Sequence, residues 1–168
     1  MKKTLDLITE NAIRDTLAAR PPGKIIWKGS PFLHVKLASK NAVGDFGEWQ
    51  FKHFSDSIGD AAQIIKKGHD VRTQSGKRVE VKTACQGKTG SFFFNQIYYT
   101  DPKTNIKKDW DHLVFVFVKP FCVEMWECKQ PAEPADHFRI NNGWSWRRNS
   151  SNKLDETIWT KIYERAYE

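Results

Sequence analysis

The sequence predicts a single α/β domain in which a mixed β-sheet is flanked by helices. Three observations lead there: an i, i+3, i+4 apolar stripe between Ala42 and Lys67, a change to period two from Val71, and the continuous apolar run Leu113–Val118. A chain of 168 residues has the size of one ordinary domain. Its 39% hydrophobic and 28% charged residues sit near the globular average and argue against wholesale disorder.

Residues 2–20 carry Leu5, Ile8, Ala12 and Ala19 on one side of a helix that Pro21-Pro22-Gly23 terminates. Residues 24–41 read as irregular or as a short strand. A longer helix is expected from Ala42 to Lys67, with Phe51, Phe54, Ile58, Ala61/Ala62 and Ile65 as its buried stripe and Gly68 as its stop. Val71 then opens a short strand, Ser75-Gly76 turns, and Arg78–Ala84 forms a second strand with Val79 and Val81 on one face. Ser91–Tyr99 is extended and aromatic. Leu113–Val118 suits a strand buried on both faces, and Cys122–Cys128 is its expected partner across Lys119-Pro120. Pro131–Pro134 reads as a linker, residues 139–152 as loop, and Leu154–Tyr167 as a closing helix. The chain thus divides into a basic N-terminal helix and arm (1–41), a core (42–130) and a C-terminal part (131–168).

Several function classes are excluded by composition. No apolar run reaches the ~18 residues a membrane span needs. The opening Met1-Lys2-Lys3-Thr4-Leu5-Asp6 turns acidic before a signal-peptide core can form, so a cytoplasmic protein is expected. Cys85, Cys122 and Cys128 make neither a CxxC pair nor an even disulfide set, which fits a reducing compartment and argues against structural zinc. The histidines show no metal-binding spacing. A net charge of +7 with 13% aromatic residues is compatible with nucleic-acid binding, although most aromatics in any domain are core. Residues 1–41 hold +5 of that charge, and the segments 42–84, 85–130 and 131–168 are close to neutral.

Chemistry concentrates between His69 and Thr83. Alternation places Glu80 and Lys82 on the strand face opposite Val79 and Val81. A hairpin at Ser75-Gly76 brings Asp70 back beside them, so two carboxylates and an ammonium converge at one sheet edge. Mutually repelling carboxylates are relieved by a hard divalent cation such as Mg²⁺. Such an ion acidifies a bound water and stabilises a phosphorane-like transition state, while a neighbouring lysine orients the water or offsets charge. An ExK triplet also arises by chance, and Glu127-Cys128-Lys129, with Asp109 and Asp111 upstream, is a second example. There the charges continue the face of Val123 and Met125 and read as strand-end charges. Glu48, one turn before Phe51, can face the same sheet edge as Asp70, or simply favour a helix N-terminus. Phe92, Phe94 and Gln96 share a face of the next strand, with Gln96 either a core-edge amide or a polar neighbour of the site.

This order of features resembles the PD-(D/E)xK nuclease superfamily, the restriction-endonuclease-like fold, over roughly residues 44–128. The resemblance implies a Mg²⁺ ion, with Mn²⁺ able to substitute, held by Asp70, Glu80, the carbonyl of Val81 and, as a frequent extra ligand, Glu48. Lys82 would serve the nucleophilic water. His69 stands where the family's name motif has proline, and Gln96 is followed by Tyr99 at three residues, where one exonuclease branch has four. The implied function is a Mg-dependent DNA endonuclease, restriction-like or the catalytic subunit of such an enzyme. The alternatives are a DNA-binding protein on the same fold without catalysis and a repair, recombination or junction-resolving nuclease.

The partner is then double-stranded DNA, and a homodimer or a second subunit is plausible because one site cuts one strand. Candidate phosphate or base contacts are Lys24, Lys28, Lys36, Lys40, Arg78, Gln96, the segment Lys103/Lys107/Lys108, and Trp144, Trp146, Arg147 and Arg148.

Overall fold

The computed structural model describes residues 26–65, 68–97, 109–128, 139–140, 144–148 and 154–167, with the backbone alone for Gln96, 139–140 and 144–148. The expected helix over 2–20, the linker at 131–134, and Lys24, Lys103, Lys107 and Lys108 lie outside these residues.

A mixed α/β domain results. Among the described residues two helices, α1 (Leu33–Leu37) and α2 (Lys40–Ser57), precede nine strands: β1 (Ala62–Ile64), β2 (Val71–Thr73), β3 (Arg78–Cys85), β4 (Phe92–Ile97), β5 (His112–Lys119), β6 (Cys122–Cys128), β7 (Arg139–Ile140), β8 (Trp144–Arg148) and β9 (Trp159–Ala166). Six strands form one sheet in the order β1-β2-β3-β5-β6-β9, and β4-β8-β7 form a second. Every adjacent pair is antiparallel except β3 with β5.

The central strand explains the layering. Val114, Val116 and Val118 of β5 point to one face, where they join Val79 and Val81 of β3 and Phe51 of α2. Leu113, Phe115 and Phe117 point to the other, where Phe94 of β4 stacks on Phe115 at 4.2 Å. Both faces of β5 are thus covered, which is why its sequence is apolar without alternation. Among the described residues helices α1 and α2 lie on the first face of the sheet, and β4 covers the other.

Four expectations are corrected. Residues 33–37 are helical, with Val35 turned into the core. Helix α2 ends at Ser57, ten residues short of the expected Lys67. Gly59 takes φ +81°, Ser55 Oγ donates to the Asp60 carbonyl at 2.5 Å, and the Ala62 N–H donates to Asp56 Oδ1 at 2.8 Å. These bonds reverse the chain into β1, so Ile58 is left 60% exposed and Ala62 is buried as a strand residue. The expected C-terminal helix is β9: Trp159, Ile162 and Tyr163 are bulky or β-branched, and β6 offers them an open edge. Residues 139–148, expected as loop, contain β7 and β8. No helix among the described residues is long and apolar enough to cross a membrane.

Candidate metal centre on the β2–β3 hairpin

Sequence spacing alone brings Asp70 back to β3. The hairpin pairs Val71 with Val79 and Arg72 with Arg78, with Gly76 at φ +92° in its turn. Asp70 is fixed twice against β3. Its N–H donates to the Val79 carbonyl at 3.0 Å, and its Oδ2 accepts the Val81 N–H at 2.8 Å. Successive residues of a strand direct their backbone groups to opposite edges. Arg78 and Gln86 bond toward β5, whereas Val79 and Val81 bond toward Asp70. The Val81 carbonyl therefore faces the same open edge as the Asp70 carboxylate.

On the other parity Glu80 and Lys82 sit opposite Leu113 and Phe115 of β5. Glu80 is only 1% exposed, and Lys82 Nζ lies 2.7 Å from its Oε1. Burial alone would lower the Lys82 pKa, but Glu80, Asp70 and Glu48 together outweigh it and raise the value. Lys82 is thus an ammonium at neutral pH, suited to orienting a water or offsetting phosphate charge rather than accepting a proton.

Glu48 arrives from α2. Gly47 makes this possible: a Cβ there would lie 1.8 Å from Thr83 Oγ1, so only glycine lets the helix rest on β3 at this point. The neighbouring Glu48 is then half-buried, and its pKa is pushed up to about 7 by burial first, then by Asp70, Asp45 and Glu80, against Lys82. Asp45, one turn earlier, adds to this field and was not singled out in the sequence, although i, i+3 spacing marks it. Carboxylate oxygens and a backbone carbonyl are the donor types that hard divalent cations take, but the Asp70, Glu80 and Glu48 side chains do not form a group with ligand atoms all within 4.8 Å of one another.

The raised Glu48 pKa has a consequence for stability. Between the ordinary glutamate value of 4.5 and about 7 the folded chain keeps a proton that the unfolded chain releases, so stability falls as pH rises through this window. Glu48→Gln removes the burden. Discounted for solvent exposure, the variant should gain about 1–2 kcal/mol at pH ~8 and almost nothing at pH ~4. Urea denaturation at the two pH values measures it; equal stability at the higher pH would contradict the electrostatic account.

The remaining sequence candidates divide. Lys28 and Lys40 are exposed, and the Lys36 ammonium lies 5.7 Å from the Trp27 ring centre. Arg78 is held by Asp111, Nε to Oδ2 at 3.1 Å, and by Asp109. Its charge is therefore largely answered within the chain, which weakens the expectation that it contacts phosphate. Trp144, Trp146, Arg147 and Arg148 belong to β8, opposite Ile97, Phe94, Phe93 and Phe92 in register, and Gln96 lies in β4. His69 is buried with Nδ1 3.9 Å from Asp109 Oδ2. The second ExK glutamate, Glu127, lies one residue before the end of β6 on the face of Val123 and Met125, as expected, but it is buried, 2.9 Å from His112 Nδ1 and 3.9 Å from Lys77 Nζ. Among the described residues, the one grouping whose potential ligand atoms all lie within 4.8 Å of one another is Cys122, Glu124 and Glu164, away from the hairpin. Lys119 pairs with its Glu124 and Lys161 with its Glu164, which leaves little excess negative charge for an ion.

No protein-family model and no curated protein matches the chain.

Proposed function

We propose that the chain is a Mg²⁺-dependent DNA endonuclease built on a restriction-endonuclease-like core. The observation that carries this reading is the convergence of Asp70, Glu80, Lys82 and Glu48 around the edge of β3. A parallel β3–β5 pair at the sheet centre and a helix packed across β3 are consistent with the same core.

Asp70, Glu80, the Val81 carbonyl and Glu48 would hold the ion. When bound, it would acidify a water and neutralise charge on the scissile phosphate. Asp70 keeps its orientation through the Val81 N–H, and Glu80 through Lys82. The Lys82 ammonium orients the attacking water toward phosphorus and offsets charge that builds on the phosphate oxygens. Exposed Lys28 and Lys40 supply sequence-independent phosphate affinity.

The test is incubation of supercoiled plasmid with the full chain and Mg²⁺ or Mn²⁺, with Glu80→Gln as control. Nicked or linear DNA that requires the metal and is lost in the variant is the expected result. Discrete fragments would assign restriction, and selective cutting of branched DNA would assign junction resolution. Metal-independent binding with no cutting of plasmid or branched DNA would replace catalysis with a binding role.

A further inference from the structure

Strand β9 forms one outer edge of the six-stranded sheet among the described residues. It runs for eight residues, as long as β3 and β5, and contains neither proline nor glycine. Exposed edges of that length are normally shortened, bulged away or covered, because their unpaired backbone groups invite another strand.

The bulge in β9 has an unusual effect. Pairing with β6 slips between Met125↔Tyr163 and Trp126↔Lys161, so Ile162 is an extra residue that resets the alternation. Trp159, Lys161, Glu164 and Ala166 consequently lie on the sheet face away from the helices. Thr160, Ile162, Tyr163 and Arg165 lie on the helix face, where Ile162 and Tyr163 pack on the core. This order of faces reads the same in both directions about the Ile162–Tyr163 bond. A strand with such symmetry can pair antiparallel with its own copy, and every side chain meets one on the same face.

The backbone agrees with that register. Tyr167 N–H donates to the Phe121 carbonyl at 2.8 Å, so alternation directs the residues opposite Val123, Met125 and Glu127 toward β6 as well. Lys161, Glu164 and Ala166 direct their N–H and C=O groups outward, whereas the Trp159 N–H is already taken by the Asp155 carbonyl at 2.8 Å. The two-fold register sets Lys161 against Glu164, hydrogen-bonding positions on both strands, and Trp159 against Ala166, where the Trp159 carbonyl alone is left to accept. Charge agrees too: Lys161 and Glu164 are exposed, and each lysine faces a glutamate across the axis on either side of the apolar pair Ile162/Tyr163.

We infer that the outer edge of β9 is a homodimer interface, in which two copies of the chain join their sheets antiparallel about a two-fold axis at the Ile162–Tyr163 bond. The interface is isologous and closes on itself. This inference does not depend on the nuclease reading. If both hold, one particle carries two cutting sites.

The test is the solution mass of the full chain by sedimentation equilibrium, expected at twice 19.5 kDa. Lys161→Glu and Glu164→Lys each set like charges across the axis twice, and each should weaken the dimer about tenfold or more. Mixing the two variants should restore it, because each chain then faces its charge complement, although the pair within each chain stays broken. Amide exchange on the wild type gives a second reading independent of any variant: Lys161 and Glu164 amides should slow as concentration rises. A monomer at every concentration overturns the inference, as does dimerisation of both single variants at wild-type strength, or a mixture that stays monomeric. Slow exchange at those amides without dependence on concentration would assign the edge to another segment of the same chain.

Discussion

Lys82→Ala is expected to reduce metal-dependent DNA cleavage by about a thousandfold or more while leaving DNA affinity within a few-fold of wild type. The reason is the location of the ammonium. It lies 2.7 Å from Glu80 and inside the field of Asp70 and Glu48, remote in role from the exposed lysines proposed to supply general phosphate affinity. The substitution also removes the partner of a carboxylate that is 1% exposed, so a stability loss of about 3 kcal/mol is expected as well. That loss should shrink when Mg²⁺ is present, since the charge on Glu80 is then answered again. Single-turnover cleavage, referred to the folded fraction measured by circular dichroism, separates the two effects. Cleavage by the folded variant at the wild-type rate would remove Lys82 from the reaction, and loss of binding together with folding would return the triplet to a purely structural role.

Two glycines of α2 should respond to alanine with opposite sign. At Gly47 the new methyl would lie 1.8 Å from Thr83 Oγ1 and 3.0 Å from Thr83 Cβ. Helix and strand must move apart, and a loss of about 2–3 kcal/mol is expected from overpacking. At Gly44 nothing lies within 4 Å, and alanine should instead add about 0.5–1 kcal/mol through helix propensity. Thermal or urea denaturation of both variants measures the contrast. Thr83→Ala should recover part of the Gly47→Ala loss, because the hydroxyl is the nearest obstacle and the Cβ remains. Gly47→Ala should also reduce cleavage at least tenfold, since the displaced helix carries Glu48 away from Asp70 and Glu80. Equal destabilisation at both glycines would mean that α2 does not rest on β3 through Gly47.

Most of the candidate site was legible because it depends on period-two alternation and one turn. Ser75-Gly76 between two short apolar stretches sets the hairpin, and face parity then separates Glu80 and Lys82 from Val79 and Val81. The double-sided burial of β5 was legible for a similar reason, since an unbroken run from Leu113 to Val118 has no polar face to expose. The end of α2 was not. Ile58, Ala62 and Ile65 continue a helical spacing by coincidence, and what ends the helix is a set of side-chain bonds from Ser55 and Asp56 to residues beyond it. Strand β9 was hidden by its bulge, which breaks the alternation that would have identified it and leaves a spacing that imitates a helix. The pairing of β8 with β4 joins segments far apart in sequence, and no local pattern in an Asn- and Ser-rich stretch announces such a partner. The burial of Glu127 was missed for a related reason: His112, its partner, comes from the neighbouring strand.

The two bonds that fasten Asp70 to β3 also bear on the order in which the chain folds. Asp70 and Val81 are eleven residues apart, so this part of the site closes a short loop and forms at little entropic cost. Glu48 joins only when α2 docks through the Gly47–Thr83 contact, a closure over a far longer stretch of chain. Hairpin residues should therefore acquire amide protection early in refolding, with Glu48 reaching its raised pKa only in a later step. An intermediate with a closed hairpin and an undocked helix would already hold Asp70, Glu80 and Lys82 in place and lack the third carboxylate. Competence to bind the ion at full strength would then report the docking of a single helix.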